Sequence, residues 1–251
     1  MAVKMDPIHQ FELKPIFTLG RIGQTDIVFT QASLYMLAAV ALITLLTYFA
    51  TRRNSLVPGR IQSLVEMSYE FIASTVRNSA GEEGMRFFPF VFSIFMFVLV
   101  LNLFGMIPYG FTVTSHIVIT AALAVIVIST VIIYGLIRHG THWFQLFVPS
   151  GVHPLMLVLL VPIEVISFLS RPISLSVRLF ANMLAGHIAL KIFAGFVAVL
   201  LTAGGWALIS WMPLLLAVAL TALEILVAVL QAYVFAVLTT VYLNDAIHPG
   251  H

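Results

Sequence analysis

The sequence predicts an all-α integral membrane protein of about five membrane helices plus an interfacial helix, in which a long oblique fourth and a long fifth membrane helix pack as a hairpin. Composition is the first reason. Of the 251 residues, 61% are hydrophobic and 9% charged, so most of the chain must face lipid or itself. Length is the second, because a bilayer core of about 30 Å takes roughly 20 helical residues to cross and several apolar runs reach that. The third is that polar residues in the last two runs recur at helical spacing.

The first 30 residues are polar and mixed in charge, with Lys4, Asp6, Glu12, Lys14, Arg21 and Asp26. They do not read as a transit peptide, and the first apolar run begins too late and runs too long for a cleavable signal peptide. Membrane helices are predicted over 31–51, 87–108, 114–137, 154–203 and 206–243. The first ends at Thr51-Arg52-Arg53-Asn54. A short turn around Pro108-Tyr109-Gly110 joins the second and third as an antiparallel pair. The fourth exceeds one perpendicular crossing, so it must lie oblique or bend.

Residues 60–86 carry Glu66, Glu70, Arg77, Glu82 and Glu83 among apolar residues at helical spacing. That suits a helix lying at the interface, with an ordinary connector as the equal alternative. Arg52, Arg53, Arg60, Arg77, Arg86 and Arg138 flank one side of a five-span arrangement, whereas the loops near 109–113 and 204–206 hold no basic residue. Because Lys and Arg stay on the cytoplasmic side, the N-terminus is expected outside and the C-terminus in the cytoplasm. With no internal repeat and no low-complexity linker, residues 1–251 read as a single membrane domain. The setting is expected to be a bacterial inner membrane rather than an organellar one.

Several function classes fall away. The chain has no cysteine, which removes disulfides, thiolate nucleophiles and thiolate metal sites. A net charge of +2 with scattered basic residues does not suit nucleic acid. There is no glycine-rich phosphate loop and no metal-ligand cluster, and the His139 and His142 pair marks a polar loop. No cofactor, no metal and no catalytic site of its own are expected.

What remains is the polar content of the apolar layer: Glu164, Arg171, Arg178, Asn182, His187 and Lys191 in the fourth region, Glu224 and Gln231 in the fifth. Each ionisable group there costs about 2.5–3.5 kcal/mol on insertion scales. At about 100° per residue, Glu164, Ser167, Arg171, Ser174, Arg178, Asn182 and Ala185 fall within a sector of roughly 60°. Pro172 makes the later Ser174, Arg178, Asn182 series the firmer part of this seam. His187 and Lys191 point to nearly the opposite face. Glu224 and Gln231 share a face of the fifth helix, about 10 Å apart along its axis. Two facing polar seams make a pathway.

Structural readings stand beside the functional ones. Arg171 can snorkel to the inner interface or cap carbonyls, and Lys191 can do the same. Ser167 and Ser174 can bond back to the preceding turn. Asn182 and Gln231 can act as interhelical glue, and His187 with Glu224 can form a merely structural pair. Arg178 has the weakest structural reading, being deep, flanked by Val177 and Leu179, and permanently charged. Its own seam offers only Ser174 and Asn182, so its anionic partner is expected from another subunit. Glu164, about 21 Å away along a straight helix, and Asp245 near the end of the fifth helix mark two separate aqueous entries with a charge between them.

The run Ser170-Arg171-Pro172-Ile173-Ser174-Leu175-Ser176-Val177-Arg178-Leu179-Phe180-Ala181-Asn182-Met183-Leu184-Ala185-Gly186-His187 closely resembles the signature of subunit a of F-type ATP synthases, bacterial type. Two further runs resemble the same family: Asn102-Leu103-Phe104-Gly105-Met106-Ile107-Pro108, and Glu224 to Asp245 with Leu230-Gln231-Ala232-Tyr233-Val234-Phe235. The resemblance covers about 87–247. It implies a stator in the Fo sector beside a rotating ring of c subunits, with b subunits and the remaining complex as partners, the lipid bilayer around it and protons as the transported ion. Arg178 would face the ring, favour release of the proton from its carboxylates and block leakage between two offset half-channels. Asn182, His187, Glu224 and Gln231 would line the outer half-channel; Glu164, Ser174 and Asp245 the inner one. In many bacterial relatives the His187 and Glu224 positions hold glutamate and histidine respectively, so here the two are expected to cooperate as a pair.

Two rival functions fit the sequence less well. A secondary proton or sodium antiporter would show inverted repeats or paired broken helices, and neither is visible. A non-conducting assembly subunit would not need Arg178, Glu224 and His187 in the layer.

Overall fold

A computed structural model describes residues 15–22, 25–52, 59–107, 110–148, 154–202 and 208–247. The order is β1 (Pro15–Ile22), β2 (Thr25–Thr30), α1 (Gln31–Arg52), α2 (Arg60–Gly84), α3 (Phe88–Met106), α4 (Ile117–His139), α5 (Pro154–Thr202) and α6 (Trp211–Ile247), with short 3-10 turns over Met85–Phe87, Val113–Ser115 and Gly140–Phe147. Among the described residues, five helical stretches are long and apolar enough to cross a membrane, so the membrane part is all-α.

The N-terminal segment adds what its polar character did not announce. β1 and β2 form an antiparallel hairpin that pairs Phe17 with Phe29 and Arg21 with Asp26. The Phe17 and Phe29 rings stack at 4.8 Å, and Arg21 forms an ion pair with Asp26. The β-branched residues of Thr25-Asp26-Ile27-Val28-Phe29-Thr30 favour this pleated arrangement.

α2 buries one stripe, Val65, Ile72, Val76, Ala80 and Gly84, at helical spacing. Its charged residues occupy the remainder, as suits an interfacial helix. Phe71 meets Phe95 of α3 at 6.3 Å and Tyr233 of α6 at 4.9 Å. Gly81 breaks the helix with φ 64 and ψ −167, a backbone region essentially reserved for glycine. The break falls three residues before the end of α2, where the chain turns toward α3.

Helix ends depart from the pattern-based boundaries for local reasons. α4 starts at Ile117 rather than 114 because Val113–Ser115 forms a buried 3-10 turn, in which Ser115 Oγ donates to Thr112 O at 2.6 Å. α4 stops before Gly140, whose φ of 54 suits a left-handed helix stop. α6 begins at Trp211, with Pro213 in its first turn, where a missing N–H costs nothing. It continues past 243 to Ile247. Arg53, the 108–109 part of the α3–α4 turn and the 204–206 loop lie outside the described residues. α5 has 49 residues and α6 37. At 1.5 Å per residue these are about 73 and 55 Å long, well beyond one perpendicular crossing.

The helices sort into two compact units: Met1–Leu42 with Val98–His116 and Leu179–Gln231, and Ile43–Phe97 with Ile117–Arg178 and Ala232–His251. In the first, Tyr35 packs on Phe104 at 6.2 Å and Phe111 at 6.1 Å, and Asn102 Nδ2 donates to Ala228 O at 3.1 Å, tying α3 to α6. In the second, Arg138 pairs with Glu83 at 2.8 Å, and His139 Nε2 donates to Ile247 O at 3.1 Å. His139 is thus a helix-end tie; the His142 side chain lies outside the described residues. Along α5, Val158, Leu159, Ile166 and Ile173 are exposed, as are Leu215, Val218 and Leu226 along α6. Apolar faces of this extent require lipid or another chain against them.

Candidate functional site

α5 presents Ser174, Arg178 and Asn182 as an exposed stripe, one turn between successive members, because four-residue spacing keeps side chains on one face. Around it the surface is apolar: Ile173 and Val177 are exposed beside the stripe. Arg178 makes no hydrogen bond or ion pair among the described residues. Ser174 does not bond back to the preceding turn as the sequence allowed. Ser170 and Ser176 do so instead, donating to Ser167 O at 2.7 Å and Ile173 O at 3.0 Å.

In the first unit α5 and α6 bring His187 and Glu224 together. His187 Nδ1 lies 3.9 Å from Glu224 Oε2, and both side chains are about nine-tenths buried. This is an ion-pair separation without a hydrogen bond; Nδ1 and both carboxylate oxygens have no hydrogen-bond partner among the described residues. His187 Nε2 is held by Gly105 of α3, donating to its carbonyl at 2.9 Å. That bond fixes the tautomer and leaves Nδ1 as an acceptor toward Glu224 when the ring is neutral. Two groups that can each hold a proton thus face each other in a buried setting.

Glycines create that setting. A Cβ on Gly186 would sit 2.3 Å from Glu224 Oε1, and one on Gly105 2.8 Å from Thr112 Cγ2. In the sequence Gly186, Gly105 and Asn102 stand only as parts of motifs; their roles depend on what faces them, which local pattern does not reveal.

In the second unit Asp245 of α6 is paired with Arg171 of α5. The Arg171 guanidinium also lies over the rings of Phe168 at 5.5 Å and Tyr242 at 5.2 Å. A carboxylate and two aromatic faces thus meet the Arg171 guanidinium inside the fold. Glu164 and Gln231 are half-buried and make no hydrogen bond or ion pair among the described residues. Lys191 is half-buried with a partner of its own. The structure thus joins His187 with Glu224 and Asp245 with Arg171, and aligns Ser174, Arg178 and Asn182.

Residues 33–244 match the family described as ATP synthase A chain. The chain belongs to that family. It is 68% identical to the ATP synthase subunit a of Methylobacterium sp. (strain 4-46) over 251 residues, covering 100% of both chains. It is 64% identical over 249 residues to that of Xanthobacter autotrophicus, covering 98% of this chain and 99% of the relative. The subunit a of Beijerinckia indica is 62% identical over 249 residues, 99% of this chain and 98% of the relative. The ATP synthase A chain family supplies the proton-translocating membrane subunit of the Fo stator, which is not catalytic alone. Membership places this chain in a bacterial inner membrane as a multipass subunit of the synthase complex.

Proposed function

We propose that this chain couples proton flow to rotation by holding Arg178 between two offset half-channels, facing a ring of c subunits that each carry a membrane carboxylate. The observation that carries this is Arg178 itself: a permanent cation exposed on an apolar helix face, without a carboxylate partner among the described residues. Such a charge is expensive in lipid and implies an anion supplied from outside the chain. A ring carboxylate must be neutral to face lipid and is favoured as an anion beside Arg178. Rotation past Arg178 is thereby tied to losing and regaining a proton. One charge crossing 100 mV releases about 2.3 kcal/mol, so several protons serve each ATP.

The outer half-channel runs by Asn182, His187, Glu224 and Gln231, supported by the close, unbonded His187 and Glu224 pair. The inner one runs by Glu164, Ser174 and Asp245. The N-terminus lies outside and the C-terminus in the cytoplasm, the two compact units act as one membrane domain, and b subunits complete the stator. Because the chain contains no cysteine, a single Ser174→Cys substitution can carry a photoreactive thiol label in the assembled complex. Illumination is expected to join this chain to the c ring. Labelling confined to lipid or to other stator subunits would mean that the Arg178 face does not meet the ring.

A further inference from the structure

Arg171 and Arg178 stand seven residues apart, about 10 Å along the α5 axis and close to one face. The fold treats them oppositely. Arg178 is exposed and unpaired among the described residues. Arg171 has its side chain 20% exposed, paired with Asp245 at 27%, and held between the Phe168 and Tyr242 rings. A guanidinium stacked on two rings and bonded to a carboxylate is a fixed charge with little freedom to move.

We propose that Asp245 serves as the charge compensator of Arg171 rather than as a proton carrier. It cancels the lower arginine, so that Arg178 alone is the uncompensated cation a ring carboxylate meets, and with Arg171 it clasps α5 to the last turns of α6. This rests on the function proposed above and deepens it: Asp245 lines the inner path as a fixed countercharge. Tyr242 faces Arg171 from α6, Glu164 lies two turns before Arg171 and Arg178 two turns after it on α5, and His139 of α4 is engaged by the Ile247 carbonyl.

Removing either partner leaves a bare charge near the ring carboxylate, and the sign of the effect depends on which partner is lost. Without Asp245, Arg171 becomes a second cation that stabilises the ionised ring carboxylate, so protonating it requires lower pH. Without Arg171, Asp245 is a bare anion, and protonation occurs at higher pH. At about 10 Å and an effective dielectric constant near 20, each shift is about one pH unit.

The test is the pH profile of ATP-driven proton pumping in vesicles containing the whole complex, normalised to assembled enzyme, for Asp245→Asn, Arg171→Gln and the double variant. The expected result is an acid shift for Asp245→Asn, an alkaline shift for Arg171→Gln, and a near-native midpoint for the double variant. A clasp that only holds helices together would lower assembly or rate without shifting the midpoints in opposite directions, and that result overturns the proposal. If a single variant does not assemble, the exchanged pair R171D/D245R decides: its charge is still cancelled, so a native profile supports the proposal, whereas a shifted profile or complete loss of assembly overturns it. Pumping by Arg178→Ala would instead sink the underlying functional reading, whatever the clasp variants do.

Discussion

Gly186 shows how a residue without a side chain can decide a site. Its Cα faces Glu224 so closely that a methyl group would sit 2.3 Å from Oε1 and 2.9 Å from Cδ. The carboxylate is the flexible end of a side chain, so Gly186→Ala is expected to displace it rather than unfold the helix pair. Displacement of about an ångström at a reacting group costs on the order of a hundredfold in rate. Proton pumping per assembled complex should therefore fall ten- to a hundredfold, with assembly preserved, and the added change Glu224→Asp, one methylene shorter, should restore part of it. Unchanged pumping in Gly186→Ala would show that Glu224 needs no fixed position. At this scale the sequence exposed the ionisable residues plainly, because a charge in an apolar run is conspicuous by itself. It did not expose Gly186, Gly105 or the Arg171 and Asp245 pair, whose members are 74 residues apart and meet only through helix packing.

At the scale of elements, what was legible followed local periodicity. The Ser174, Arg178, Asn182 stripe depends only on spacing within one helix, and it survives as an exposed stripe on α5. The β1–β2 hairpin is not legible in the sequence, because its alternation is brief and lies among polar residues. α6 runs past the predicted 243 to Ile247, so Asn244 and Asp245 lie within the helix, where Asp245 pairs with Arg171. Gly81 carries a prediction of its own. Its φ of 64 with ψ −167 is strained for any L side chain, at a cost on the order of 1–3 kcal/mol. Gly81→Ala should lower the thermal stability of the purified complex by a few degrees without altering the pH profile of pumping. Equal stability would mean that the α2–α3 junction does not depend on that backbone conformation.

For the whole molecule, the two compact units each contain one of the interhelical polar pairs, His187 with Glu224 in the first and Arg171 with Asp245 in the second. Arg178 and Leu179 are the residues of α5 at which one unit gives way to the other. The apolar faces of α5 and α6 give the chain no stable existence in water, so the meaningful object for measurement is the assembled complex in a membrane. The most direct measurement is ATP-driven proton pumping together with passive proton leak in vesicles, comparing the native complex with Arg178→Ala at equal assembly. The account predicts that coupled pumping disappears although the complex remains intact; pumping at the native rate would contradict it and reduce Arg178 to a structural residue.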